Sequence, residues 1–357
     1  MIEIIQKMKD IEKKDWNALV GKNKAEASYE WFSFVEDLPL ERKYTYCHVV
    51  YKDEKENIIE ILPAHSKNFY VKDFVISSGL LSLGRISPRM KTPFTMTEVQ
   101  IPLSVDSIYL GEKNHFYECL SALEAFSKEK FSYFVIIKNS NEEMNLPGYS
   151  CIELYPEVYM EPYTSWDSYI QSQKGKRGKH IRYEYKRSVE SGTKTYLKED
   201  LDGYHDLLYD MYMDVSAKYG HPVVFPRDFF KRMEDALPGY TKCLFAENKG
   251  EIIGYLFLLE NDHYITCKYA GRNYQAPDPY SYFRLMYELI KHSIKKKKPV
   301  SIEKTSYEAK IRRGFKLIEK KCYIKPNLPI VGDIYTMLAK MANKKISAHI
   351  REIKTHV

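Results

Sequence analysis

The chain has 357 residues, 44% hydrophobic and 14% aromatic, which is enough apolar surface for one large or two ordinary folded domains and excludes a disordered or fibrous protein. Its 55 lysines and arginines against 48 acids give a net charge of +7. The six cysteines (47, 119, 151, 243, 267 and 322) form no Cys-x-x-Cys pair and the histidines no cluster at metal-ligand spacing, so no metal site and no disulfide framework is expected, and a reducing cytoplasm fits the composition.

Asp15 to Leu19 opens a helix, Ser28 to Leu38 gives a second, and Tyr44 to Tyr51 alternates as a strand. After the polar turn Lys52 to Asn57, Ile58 to Ser66 completes a hairpin. The Gly, Ser and Pro punctuation of Val71 to Leu103 reads as loop with short strands. Asn114 to Lys130 is a helix, Tyr133 to Lys138 a core strand, and the chain resumes after a loop at Cys151 to Met160. Tyr204 to Tyr219, with Leu207, Leu208, Met211, Tyr212 and Val215 on one stripe, and Pro226 to Leu237 are helices. Cys243 to Ala246 and Ile252 to Glu260 are then strands about the turn Asn248-Lys249-Gly250. Helix, helix, hairpin therefore occurs twice, and the expected domains are 1–150, 151–330 and a C-terminal amphipathic helix in 331–357, within a mixed α/β architecture.

Asp278 at an N-cap and Pro279 at the first helical position start a helix running to about Lys297. Phe283, Met286, Tyr287, Ile290 and Ile294 would face a sheet and leave Lys291, His292 and Lys295 to solvent. The last helix, Asp333 to Lys354, carries Ile334, Met337, Leu338, Met341 and Ile350 on or near one side. It has three open roles: covering the second sheet, touching a partner chain, or resting on an anionic membrane surface. No run of eighteen apolar residues occurs and the first ten residues lack an export-signal core, so neither a membrane span nor export by that route is expected.

Basic charge is concentrated. Seven basic residues and one acid lie between Gln171 and Arg187, and thirteen basic residues and three acids between Lys291 and Lys325, so the rest of the chain is net acidic. Two such patches point to an anionic partner: coenzyme phosphates, a tRNA or a lipid-linked substrate; the bland alternative is a solvated lysine-rich face. In the first patch Lys179, Arg182 and Lys186 share one helical face and Ile181 and Tyr185 another. Helix-start N–H groups beside Lys176 and Arg177 would add to an anion site. No helix-turn-helix, zinc-finger or basic-zipper pattern is present, so DNA is not an expected partner.

The order of the stretch Glu247 to Phe315 is the most telling. Lys249-Gly-Glu-Ile-Ile-Gly-Tyr-Leu-Phe-Leu-Leu259 leads to Tyr264-Ile-Thr-Cys-Lys-Tyr-Ala-Gly271. Ala276-Pro-Asp-Pro-Tyr-Ser-Tyr-Phe283 follows, and the stretch ends at Lys310-Ile-Arg-Arg-Gly-Phe315. Together with the aromatic-led helix at Trp166 and its Lys/Arg-rich turn, it resembles the FemAB-like branch of the GNAT acyltransferases. The resemblance covers nearly the whole chain and is strongest from Trp166 to Phe315. The Gln173 to Gly178 spacing is also loosely similar to the glycine-containing loop that binds coenzyme A pyrophosphate in GNAT enzymes. The coiled-coil insertion with which FemABX enzymes help engage aminoacyl-tRNA has no counterpart here.

The resemblance implies two tandem GNAT-like domains, each a mixed, mostly antiparallel sheet flanked by helices. The implied activity is N-acyl transfer from acyl-CoA or aminoacyl-tRNA to an amine acceptor, a small molecule or a precursor, by direct attack and without a metal. A tRNA-dependent peptide-bond former in envelope or natural-product biosynthesis is one rival, and a non-catalytic ligand-binding module on the same frame is another. The donor site would lie beside the helix that starts near Tyr280, so Arg272, Tyr280, Ser281 and Tyr282 either border it or only cap and pack that helix. The transfer needs a base and oxyanion donors. Tyr269 and Glu303, at adjacent strand ends, are the candidates, with Tyr307, Lys310 and Arg313 closing the set. For that last turn the alternative is structural: Phe315 plugs the core and the arginines pair with Glu308 or Glu319.

Overall fold

The sequence order of helices and strands produces two compact units. The computed structural model describes residues 1–40, 44–70, 93–173, 175–219, 225–276, 280–302, 304, 306–328 and 343–353. Unit 1 comprises Met1–Gly21, Ala27–Pro156 and the described residues from Glu319 onward; unit 2 comprises Lys22–Glu26 and Glu157–Ile318.

Unit 1 begins with β1 (Ile2–Ile5), α1 (Lys13–Val20) and α2 (Tyr29–Asp37). Ser28 caps α2 by accepting a hydrogen bond from Trp31 N–H, 3.3 Å away. The buried indoles of Trp16 and Trp31 donate to the carbonyls of Ala27 and Pro102, both at 2.9 Å, so burying these rings leaves no N–H unsatisfied. The expected strand Tyr44 to Tyr51 is broken at Cys47 into β2 (Thr45–Tyr46) and β3 (His48–Lys52). The expected strand Ile58 to Ser66 is likewise broken, at Pro63, into β4 (Ile58–Leu62) and β5 (His65–Tyr70). The breaks occur because the two hairpin arms serve two sheets: β3 pairs with β1 and β4, whereas β2 pairs with β5, which pairs with β6 (Pro93–Val99). Proline, with no N–H for a ladder, suits such a transfer point. α3 (Phe116–Glu129) then crosses over to β7 (Phe134–Ser140), which lies parallel to β6.

The chain enters unit 2 along β8 (Ser150–Met160), followed by α4 (Trp166–Ser172) and α5 (Arg177–Glu190). Next come β9 (Lys194–Lys198), α6 (His205–Tyr219), α7 (Phe229–Ala236), β10 (Thr241–Asn248), β11 (Glu251–Glu260) and β12 (Ile265–Arg272). α8 (Ser281–Lys296) crosses over to β13 (Val300–Ile302), parallel to β12; α9 (Tyr307–Ile311) and β14 (Lys316–Pro326) follow, and residues 343–353 form a helix, α10. Asp278 and Pro279, expected to start α8, lie outside the described residues, as do Ile334, Met337, Leu338 and Met341; in α10 Ile350 and Ile353 are buried.

The repeat is more complete than helix, helix, hairpin. In each unit an edge strand (β1 or β9) precedes two helices and a hairpin (β3–β4 or β10–β11) and pairs antiparallel with the hairpin's first strand. Each unit then has a βαβ crossover, β6–α3–β7 or β12–α8–β13, as its parallel pair. The closing strands do not follow chain order. Val158 to Met160 of β8 pair with β13 in unit 2, and Lys321 to Pro326 of β14 pair with β7 in unit 1. Residues 319–328, expected with the second half, therefore fold with unit 1, where Lys321 to Pro326 complete a ladder on β7.

The sheet of unit 2 is covered on both faces. Leu285, Met286, Leu289 and Ile290 of α8 pack with Leu256, Leu258, Cys267 and Val300 on one face. On the other, Phe229 and Phe230 of α7 pack around Tyr255, Phe257 and Tyr269. This arrangement fixes the β12–α8 junction, on which the candidate site depends.

Candidate active site

β12 and β13 pair in parallel only from Ile265↔Val300 to Cys267↔Ile302, although β12 runs on to Arg272. The register of β12 on β11 also shifts there: Phe257 faces Tyr269 and Leu258 faces Cys267, which makes Lys268 the extra residue of a β-bulge. A bulge bends its strand and re-aims its side chains, and ligands of α/β sheets gather outside the carboxyl ends of parallel strands. The bulge and the end of the parallel ladder thus coincide.

Next to the bulge, Tyr269 is half-buried in an aromatic collar. Its ring meets those of Tyr212, Phe225, Phe229 and Phe230 edge-on at 5.5 to 5.8 Å between centroids. Two residues on, Gly271 is where β12 touches α6: a Cβ there would lie 2.1 Å from Tyr255 Cε1 and 2.7 Å from Met211 Cβ, so only glycine fits. Arg272 ends the strand, its guanidinium 5.7 Å from the Tyr274 ring centre. At the start of α8, Tyr280 holds the N-cap position, Ser281 is buried and Tyr282 half-buried. Arg187 of α5 hydrogen-bonds Tyr280. Beyond β13, Tyr307 is half-buried and Lys310 buried on the short helix α9, entered through Ser306 at φ +48°. Glu303, the expected base, lies outside the described residues. Tyr269, Arg272, Tyr280, Ser281, Tyr282, Tyr307 and Lys310 therefore all follow, along the chain, the last parallel pair of β12 and β13.

The basic set is on another element. Lys176 is the exposed N-cap of α5, Arg177 is half-buried, and Lys179 and Arg182 are exposed, with Lys186 on the same face as expected. Gly178 lies inside α5, where a Cβ would come within 2.8 Å of the Ile170 carbonyl oxygen. Gly178 is thus a packing point between α4 and α5. Arg313 is turned inward: its Nη2 donates to both Glu184 oxygens at 2.7 Å, its Nε to Tyr287 Oη at 3.0 Å and its Nη1 to the Ala309 carbonyl at 2.7 Å. Four of its donor contacts are made within the protein, and at 5% exposure it stacks 3.6 Å from the Phe283 ring centre. Phe315 fills the core and Arg312 pairs with Glu308 at 2.5 Å; the structural reading holds for these two, while the partner of Arg313 is Glu184, not Glu308 or Glu319.

α8 also differs from expectation on its outer face. His292 lies 2.7 Å from Glu260, and Lys291 donates to Tyr185 and lies over its ring, so of the three residues expected in solvent only Lys295 is exposed. Burial alone would raise the Glu260 pKa, but hydrogen bonds from His292 and Lys298 hold it at about 2.

Sequence reasoning missed a buried polar set on the sheet face beside the bulge. Glu26 and Lys268, each with 1% of its side chain exposed, lie 3.7 Å apart, and Thr266 Oγ1 donates to Glu26 at 3.3 Å. On the neighbouring strands, Glu157 of β8 accepts from Ser301 of β13 and from Lys24. Buried charges are costly unless paired, and cluster at functional sites. The available signal was Lys268 and Glu157 standing charged inside otherwise apolar strands. Among the described residues no group of three or more His, Cys, Asp and Glu could hold a metal ion, and no helix is long and apolar enough to cross a membrane.

Paired βαβ units with exchanged closing strands define the class: a two-unit α/β fold shared with FemX and L-PGS. Among solved structures, FemX superposes with a TM-score of 0.56 at 10% identity, over 90% of this chain and 96% of that one. The C-terminal domain of a putative lysylphosphatidylglycerol synthetase from Agrobacterium fabrum gives 0.53 at 9% identity, over 92% and 95%. L-PGS from Bacillus licheniformis gives 0.53 at 11% identity, over 93% and 97%. At such identities the likeness is one of fold. No family model and no curated protein matches the sequence.

Proposed function

We propose that the protein is an N-acyltransferase whose reaction centre lies where β12 and β13 part in unit 2. The carrying observation is the bulge at Lys268 at the last parallel pair, Cys267↔Ile302. In the proposed reaction an acceptor amine attacks the acyl carbonyl carbon of a thioester or ester. The amine gives a proton to a base, the C–N bond forms, and the C–S or C–O bond breaks as the leaving group takes a proton. Glu303 is assigned the base and Tyr269, held by its collar, the proton donor to the leaving group, with Tyr307 and Lys310 bordering the acyl carbonyl. Arg272, Tyr280, Ser281 and Tyr282 are assigned to the donor's anionic part at the N-terminus of α8, where backbone N–H groups favour negative charge.

For the donor, two co-substrates are proposed: acyl-CoA, and an aminoacyl-tRNA. The exposed face of Lys179, Arg182 and Lys186 favours the second, since tRNA phosphates need such a surface. The solved structure of a domain of a putative lysylphosphatidylglycerol synthetase shares this fold, which adds support for aminoacyl transfer to a lipid headgroup. Purified protein is to be incubated with acetyl-CoA or charged tRNA and a panel of amines, at two salt concentrations, with amide formation followed by mass spectrometry. Transfer that falls by tenfold or more in Tyr269→Phe, in protein that still folds, supports the reading. Absence of transfer from either donor, with saturable ligand binding retained, would overturn it in favour of a binding module.

A further inference from the structure

The solvent face of α5 carries an aromatic ring that the basic stripe alone does not account for. Lys176, Lys179, Arg182, Tyr183, Lys186 and Arg187 are all exposed, whereas Gly178, Ile181, Glu184 and Ser188 of the same helix are buried. Tyr183 is 55% exposed and stands among the cations. Lys179 and Arg187 lie four residues to either side of it and Lys186 three residues on, so the four share one helical face. Of the two acids in α5, Glu184 is buried and held by Arg313, and Glu190, the last residue, lies 3.7 Å from Lys186 and 3.3 Å from Arg187. Among the described residues Lys176, Lys179 and Arg182 make no ion pair.

A face that only keeps the protein soluble gains nothing from a large ring exposed among its cations. The stripe from Lys176 to Arg187 runs about 16 Å along the helix. At its far end Arg187 hydrogen-bonds Tyr280, the N-cap of α8, so the stripe leads from solvent to the residues assigned to the donor's anionic part. An anionic membrane is the poorer match. A helix that rests on lipid turns its apolar side outward, whereas Ile181 and Tyr185 of α5 pack into the core of unit 2 and the outer face offers one ring among five cations. Cations that track phosphates, with an aromatic ring on which a base stacks, are how single-stranded nucleic acid is held without sequence preference.

We propose that the outer face of α5 is a track for a single-stranded RNA end, with one unpaired base stacked on Tyr183 and the phosphates beside it met by Lys179, Lys186 and Arg187. The proposal rests on the aminoacyl-tRNA reading of the donor and deepens it. The strand runs from Lys176 to Arg187, and its terminal ribose, which carries the acyl ester, is delivered past Arg187 toward Tyr280. A base already paired in a duplex does not offer its face to Tyr183, so the track takes a single strand in preference to a double one.

The test uses full-length protein and a fluorescein-labelled RNA dodecamer of mixed sequence, alone or annealed to its complement, with binding read by anisotropy at about 50 and about 200 mM salt. The single strand is expected to bind about tenfold more tightly than the duplex. Tyr183→Ala is expected to weaken the single strand about tenfold, the loss of one base stack, and to leave the duplex unchanged, while Tyr183→Phe binds as the parent does. Lys179→Gln should lower the slope of log affinity against log salt by about 0.7 for the single strand, one phosphate contact. Both positions are exposed, so the variants should keep the parent's circular dichroism. The proposal fails if the duplex binds as tightly as the single strand or if Tyr183→Ala binds the strand as the parent does. It fails equally if the variants lose binding to phosphatidylglycerol vesicles and not to RNA, which would make the face a lipid surface. Because the probe carries no acyl group, protein that transfers from acetyl-CoA yet ignores the strand sinks this proposal alone. Protein that binds the strand without transferring from any donor sinks the reaction alone.

Discussion

Replacing Arg313 with methionine separates a structural clamp from an anion-binding arginine. The substitution removes the guanidinium that meets both oxygens of Glu184, Tyr287 Oη and the Ala309 carbonyl, and leaves the Glu184 carboxylate buried with His180, 3.1 Å away, as its remaining basic neighbour among the described residues. Stranding one member of a buried ion pair typically costs about 3–5 kcal/mol, and losing the stack on Phe283 adds roughly 0.5–2 kcal/mol. Against a typical total of about 5–15 kcal/mol that is a large fraction, and with a urea m-value of about 1–3 kcal/mol/M the midpoint should fall by more than about 1 M. The double variant Arg313→Met, Glu184→Leu removes the stranded charge as well and should recover most of the loss, since apolar replacement of a whole buried pair is often near neutral. Urea unfolding followed by tryptophan fluorescence reads both. A single variant that loses less than about 1 kcal/mol, or a double variant no better than the single, would refute the clamp. If the stable double variant binds a donor tenfold more weakly than the parent, Arg313 contacts the donor and the inward assignment is wrong.

Stability should fall in mild acid. Burial lowers the His48 pKa to about 3, so between pH 6.5 and 3 the unfolded chain takes up a proton that the folded one refuses. Unfolding free energy then drops by about 1.4 kcal/mol per pH unit below 6.5, roughly 2 kcal/mol at pH 5, and His65 adds in the same direction. Urea midpoints at pH 7, 6 and 5 check this, and His48→Phe should flatten the slope. Glu260, depressed to about 2, contributes with the same sign only below about pH 4.5, where the unfolded carboxylate begins to protonate first. Gly271→Ala should cost about 1–3 kcal/mol through its collision with Tyr255 and Met211, seen as a lowered thermal midpoint; a neutral result would mean β12 and α6 are not in close contact. Glu157→Gln should destabilise unit 2 by about 3 kcal/mol or more, because Lys24 would lose its carboxylate partner, whereas removing the exposed Glu308 should change the midpoint by less than about 1 kcal/mol.

Features set by a few consecutive residues were legible in the sequence. The turn Asn248-Lys249-Gly250 is one: Lys249 and Gly250 both take positive φ, +52° and +84°, as a tight hairpin between β10 and β11 requires. The basic face of α5 is another, since Lys179, Arg182 and Lys186 are exposed where helical spacing put them, and Ile181 is buried. The stripe of α6 belongs here too, with Leu208 and Met211 buried. What periodicity could not show was which sheet each strand joins. Tyr44 to Tyr51 alternates without a break, yet it divides at Cys47 because β2 and β3 have different partners. β1 and β9 pair along one edge only and are short and charged, so they leave a weak pattern. The partners of the candidate site were hidden for the same reason. Glu184 and Arg313 are 129 residues apart, and Glu26 and Thr266 are 240 apart. Local spacing carries no trace of such pairs, and only an unexplained charge within an apolar strand hints at them.

The two crossovers show how one plan can serve different chemistry. In unit 1 the parallel ladder is unbroken from Met96↔Phe134 to Val99↔Ile137, and its polar side chains, Glu98 with His65, Lys67 and Lys138, sit on paired strand that holds them fixed. In unit 2 the corresponding ladder stops after Cys267↔Ile302, a bulge follows at once, and the candidate groups lie on β12 where it continues paired with β11 only and on the helix starts beyond it. A parted strand end suits an acyl group, because backbone that has left the ladder with its neighbour can be met by substrate instead. The topology is common to both units; the lengths of the parallel ladders and the bulge at Lys268 distinguish the two crossovers, and the proposal of a transfer centre in unit 2 rests on those differences rather than on any one residue.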